Sequence, residues 1–155
     1  MKHSTVDQLK TVATITQAPA LSKRDVRRHR LLRLASLLDN HTGPLKLFHG
    51  LEFLRDSTRV SLRCENSPFS IAFSDPILRA DGLESDEFGQ GIQFFGLSND
   101  EAHHLLCDCH FPSRTPSGQM IANRVRKVAN RKTARERWQA VERTFAKFMN
   151  RWLPS

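Results

Sequence analysis

His103, His104, Cys107, Cys109 and His110 crowd one short run of this chain, HHLLCDCH. Imidazole and thiolate together are what a tetrahedral zinc ion prefers. On a helix begun at Ser98, His103, Cys107 and His110 fall at i, i+4 and i+7 along one flank, beside the core face. His104 and Cys107 stand three apart, a second spacing that can share a metal. Cys109 and the distant Cys64 would complete an N/S set. The candidate metal ligands are therefore Cys64, His103, Cys107, Cys109 and His110, with zinc as the ion. C-D-C-H is one knuckle, and the chain has no second CxxC-like half. The competing reading makes Cys109 a core hydrophobe, Cys107 a boundary residue and the histidines polar surface.

Thiol catalysis is a second chemistry for the same residues. Cys64 or Cys107 would be the nucleophile, with His103, His104 or His110 as base. Arg63 beside Cys64 favours a thiolate, whereas Asp108 beside Cys107 opposes one. Neither an oxyanion corner nor an orienting third residue stands out. No phosphate-binding Gly loop, HExxH or GxSxG is present. The expectation is a binding protein and not an enzyme.

Charge supplies the third chemistry. The net charge is +8. Residues 1–50 carry nine Lys/Arg against three Asp/Glu, residues 51–110 four against eleven, and residues 111–155 eleven against two. A basic–acidic–basic chain either presents its ends to an outside polyanion or folds them onto its own acidic middle. In the first case Arg124, Arg126, Lys127, Arg131, Lys132 and Arg135 neutralise nucleic-acid phosphates, each contact releasing counterions. Arg27, Arg28 and Arg30 supply a second patch. Phe94 to Leu106 has the outline of a helix-turn-helix, but Asn99, Asp100 and Glu101 would lead its recognition helix into phosphate repulsion.

The elements that must position these groups read as helical. Ser22 caps a helix running to about Asn40, with Leu31, Leu34, Ala35 and Leu38 as its buried stripe. Arg27, Arg28, Arg30 and Arg33 crowd its first turns and oppose the helix dipole. Leu47, Phe48, Leu51 and Leu54 repeat at helical spacing after Pro44. Thr58 to Cys64 alternates like one half-buried strand or an extended connector. Ser67–Pro68 and Asp75–Pro76 each start a short helix. Ser85 opens another, and Gly96 ends it in the left-handed position. Ser98 and Glu101 form a capping box for a helix ending near His110, which buries Ala102, Leu105, Leu106 and Cys109. Thr115–Pro116 begins the next, with Ile121, Val125 and Val128 inward. Thr133 and Glu136 box the last, whose stripe is Trp138, Val141, Phe145, Phe148 and Trp152. Such a stripe is more often core than interface; left exposed, it favours a protein partner or a homodimer.

The run FFGLSNDEAHHLLCDCHF, preceded by CENSPFSIAFSDP, resembles small helical bacterial proteins of uncharacterised function. In those a Cys-containing segment precedes a GLS-x-x-EA-x-x-L helix corner. The resemblance covers about residues 60–130 and implies a helical fold, with no activity and no catalytic residue carried over.

Ten Phe and no Tyr supply most of the aromatic bulk of the 155 residues, enough for one folded unit with a real core. No apolar run approaches the roughly 18–20 residues of a membrane span, and the N-terminal stretch lacks the apolar core of a secretory signal. Three cysteines without framework spacing point to reduced thiols and a cytoplasmic setting. The expectation is all-α: a compact bundle of about six or seven helices over residues 22–155, possibly with one strand-like connector, behind a flexible basic tail over residues 1–21. Its work is binding, nucleic acid first. The alternative is a protein-interaction or regulatory helical module carrying a Cys/His zinc site.

Overall fold

The computed structural model describes residues 21–112, 115–131, 138 and 141–145. Among the described residues the architecture is all-α, without strands. No helix there is long and apolar enough to cross a membrane. Helix α1 (Lys23–Asp39) starts at Ser22, whose hydroxyl accepts from the Asp25 N–H at 3.1 Å. Leu31, Leu34, Ala35 and Leu38 are its buried stripe, as the spacing requires.

Helix α7 (Gly118–Ala129) lies against α1 and buries Ile121, Ala122, Val125 and Ala129. The pair is antiparallel: Gly118 meets the end of α1, while Arg28 near its start bonds the Asn130 amide at 3.1 Å. A Cβ at Gly118 would sit 2.1 Å from the Leu38 carbonyl oxygen, so the approach requires glycine.

Between these two helices the chain makes short turns of helix: α2 (Asp56–Val60), α3 (Pro68–Ser74), α4 (Pro76–Ala80), α5 (Phe88–Phe95) and α6 (Asn99–Leu106). Helices α3 and α4 begin at proline behind Ser67 and Asp75 caps, which fixes φ where no amide partner is needed. Phe69 stacks on Phe95 with ring centres 5.7 Å apart, and Phe48 meets Phe88 edge-on at 5.1 Å, forming the aromatic heart of the core. Gly96 ends α5 at φ 59, and the Ser98–Glu101 box opens α6.

The arginines at the start of α1 are engaged at home. Arg27 donates to the Gly96 carbonyl at 2.8 Å and pairs with Glu101 at 2.9 Å. Arg30 donates to the Phe94 carbonyl at 2.9 Å, pairs with Asp81 at 2.7 Å and covers the Phe94 ring. Cations thus meet the free carbonyls at the end of α5, where the helix dipole is negative. Arg33 grips the buried Asp75 with two bonds of 2.8 and 3.1 Å. That grip, helped by the Ile77 and Leu78 amides, holds the Asp75 carboxyl below its usual range despite burial.

Three sequence expectations are corrected. Residues 44–55 are not a helix: Leu45, Leu47 and Phe48 are buried from a non-helical segment, followed by one 3-10 turn at Leu51–Phe53. The strand-like stretch from Thr58 is no strand, because its first half belongs to α2. Helix α6 stops at Leu106, where Cys107 turns extended (φ −85, ψ 133), and a 3-10 turn covers Asp108–His110. Near the C-terminus, Trp138, Val141 and Phe145 are helical and exposed. The Thr133–Glu136 box, Phe148, Trp152 and residues 1–20 lie outside the described residues.

Candidate metal centre

The site forms where a non-local backbone pairing stops α6. The Phe48 N–H donates to the Leu106 carbonyl at 2.9 Å, and the Asp108 N–H to the Phe48 carbonyl at 3.1 Å, making a parallel bridge between Phe48 and Cys107. Gly50 follows at φ 63, a conformation that suits glycine, and turns the chain into Leu51–Phe53. This turn brings Glu52 over the last turn of α6.

Glu52, His103, Cys107 and Cys109 converge, each offering one ligand atom, with all four atoms within 4.8 Å of one another. His103 Nε2 is 3.4 Å from Glu52 Oε2. The Cys107 thiol donates to the same oxygen at 3.6 Å, and the Cys109 thiol donates to the Cys107 sulfur at 3.1 Å. His103 Nδ1 lies 2.9 Å from His110 Nε2, and the tautomer decides which ring donates. A ligating Nε2 would leave Nδ1–H to donate outward, as histidine ligands normally do.

Cys107 is fully buried, whereas Cys109 is exposed. Burial, with Cys109 beside it, pushes the Cys107 thiol up to about 12 in the metal-free protein. Its own backbone N–H, then His103 and Cys107, hold the Glu52 carboxyl below the usual carboxylate range. A cation brought into this cluster must displace the thiol protons, so binding is coupled to proton release.

Neighbouring groups fix the turn. His49 Nδ1 meets Asp108 Oδ2 at 2.7 Å. Arg124 donates to the His104 carbonyl at 3.1 Å and the His110 carbonyl at 2.8 Å, with its guanidinium 3.8 Å above the Phe111 ring. The residue expected to contact phosphate therefore clamps the ends of the ligand-bearing turn.

The structure brings together His103, Cys107 and Cys109 of the expected ligands and places His110 behind His103. Cys64 is not in the cluster: it is partly buried, its thiol is raised by burial, and it points to the Glu65 carbonyl at 3.7 Å. The helical i, i+4, i+7 register is corrected as well, since Cys107 and His110 lie beyond the end of α6. Cys109, expected in the core, is exposed, and Cys107, expected at its boundary, is buried. Glu52 is not among the ligands that the sequence spacing suggests. Its one local signal is Gly50, the turn that re-aims it.

Of the expected phosphate-binding cations, Arg27 and Arg30 carry the pairs given above, and Arg126 pairs with Asp39. Arg28 bonds the neutral Asn130 amide, while Lys127 and Arg131 are exposed at the end of α7. Lys132 and Arg135 lie outside the described residues.

No family model, curated protein or solved structure matches the chain.

Proposed function

We propose that this chain is a zinc-binding helical module in which Glu52, His103, Cys107 and Cys109 hold the ion. The observation that carries the reading is the spacing of the ligand atoms. Tetrahedral zinc with ordinary bond lengths needs edges of about 3.4 Å between N and O and about 3.6 Å between O and S. The protein presents 3.4 Å from His103 to Glu52 and 3.6 Å from Glu52 to Cys107. The sulfur–sulfur edge is shorter than the roughly 3.8 Å zinc would impose, at 3.1 Å. Loss of the S–H···S bond on deprotonation lets the exposed Cys109 move outward.

The ion's work is structural. It joins residues far apart in sequence, locking the 45–53 segment to the end of α6, and leaves no open ligand position of the kind a catalytic zinc keeps. The exposed face carrying Trp138, Val141 and Phe145 supports a partner-docking role for the module. Metal analysis of protein purified without chelator tests the reading. Near one zinc per chain is expected, with loss in Cys109→Ser and strong weakening in Glu52→Gln. A chain that binds no zinc at micromolar concentration contradicts it.

A nucleic-acid surface is the second reading, supported by one corner of the α1–α7 pair. Arg28 bonds Asn130 there, between Lys127 and Arg131 in the chain, and none of the three cations is matched by a carboxylate among the described residues. Duplex DNA or RNA titrated against salt tests it, since two or three phosphate contacts give a log–log slope of about −2 to −3. No binding at low salt removes it.

A further inference from the structure

We propose that Cys107 and Cys109 are a redox-responsive dithiol, which a peroxide closes to a disulfide with expulsion of the metal ion. The release step rests on the zinc reading above; the closure step rests on the cysteines themselves. Their sulfurs stand 3.1 Å apart, already in hydrogen-bond contact. A disulfide needs about 2.05 Å, so closure asks for a movement of about 1 Å, and the exposed Cys109, in the middle of a one-turn 3-10 element, can make it.

The two thiols are also unequal in the useful way. Cys109 is open to a small oxidant, whereas Cys107 is fully buried beneath it and is reached through Cys109. Cys64 neighbours Glu65 and Lys46 and is outside the cluster, so it does not compete.

The chemistry balances with one peroxide per pair. The Cys109 thiolate attacks a peroxide oxygen, the O–O bond breaks, and the hydroxide released takes a proton from solvent to leave as water. Cys109 is then a sulfenic acid. The Cys107 thiolate attacks its sulfur, the S–O bond breaks, and a second hydroxide leaves as water with a second solvent proton. Two electrons pass from the sulfurs to the peroxide. A disulfide offers zinc no thiolate, and Glu52 and His103 alone are a poor site.

The test uses the full chain loaded with zinc and titrated with hydrogen peroxide. Released zinc is read with a chromogenic chelator, and the thiols by peptide mapping. The expected result is one zinc released per Cys107–Cys109 disulfide, reversed by a dithiol reductant and added zinc. Cys64→Ser should behave as the parent chain, and Cys109→Ser should form no disulfide. Full release with Cys109 as sulfinic acid, a disulfide to Cys64 or between chains, or retained zinc with intact thiols overturns the proposal. If the parent chain takes up no zinc, the zinc reading fails and the release step with it. Closure is then judged on the metal-free chain, where an intramolecular Cys107–Cys109 disulfide upholds the dithiol and its absence overturns it.

Discussion

The α1–α7 pair and the corner around Cys107 are held together by different physics. The helix pair is made of two long elements whose backbones satisfy themselves, packed through Leu31, Leu34, Leu38, Ile121 and Val125, with Gly118 allowing direct backbone contact. Its charges sit at the rim. The corner is built from a non-helical segment and two 3-10 turns, pinned by one isolated β-bridge, the His49–Asp108 contact and the Arg124 clamp. It places a carboxylate, two thiols and an imidazole side by side, which apolar burial does not favour. The first region is stable by packing. The second gathers groups that could hold a metal ion.

Removing the ion separates the two regions most strongly. Chelation should lower the unfolding free energy by about 4 kcal/mol where free zinc had been about a thousandfold above its Kd. Amide exchange should quicken at Phe48 and Asp108, the bridge donors, while the α1 and α7 amides facing the core stay protected. Equal loosening of both regions would break the distinction.

Gly118→Ala attacks the other side. The added methyl meets the Leu38 carbonyl, and overpacking of this kind costs about 1–3 kcal/mol or more. Denaturant unfolding should show that loss, with zinc affinity little changed because the ligands sit on other elements.

The two regions were unequally legible in the sequence, for a physical reason. Helix α1 and the Ser98 box are local: Ser22, the leucine spacing, Gly96 and Glu101 each act within a few residues. The Pro68 and Pro76 starts are local too. Cys107 turns extended because Phe48, far away in the chain, takes the Leu106 carbonyl and offers its own to Asp108, and no helical period encodes that. Glu52 is illegible for the same cause, and Cys64 enters the sequence-based ligand set because a cysteine's type says nothing about where the fold puts it. Net charge is likewise silent on where each cation's partner lies. The arginine cluster is visible in the sequence, but its pairing with Glu101, Asp81 and Asp39 is a property of the packed chain.

The Arg33–Asp75 pair gives a smaller, pH-dependent effect. Asp75 is held below its unfolded value, so it contributes stability that is present above about pH 4 and lost as pH falls through the folded value. Asp75→Asn should cost about 1–2 kcal/mol at neutral pH and flatten the acid limb of the stability curve. An unchanged acid limb would remove Asp75 from the account.

Smallest of all is the exposed corner of the helix pair. Lys127→Gln and Arg131→Gln should shift stability by no more than about 0.5 kcal/mol. If the nucleic-acid reading holds, each should reduce the salt slope by about 1.

X-ray absorption at the zinc edge on the metal-loaded chain is the decisive measurement for the proposed site. A zinc held by Glu52, His103, Cys107 and Cys109 gives a four-coordinate edge with two sulfurs at about 2.3 Å and two N/O ligands at about 2.0–2.1 Å. Six light-atom ligands with no sulfur shell would contradict it.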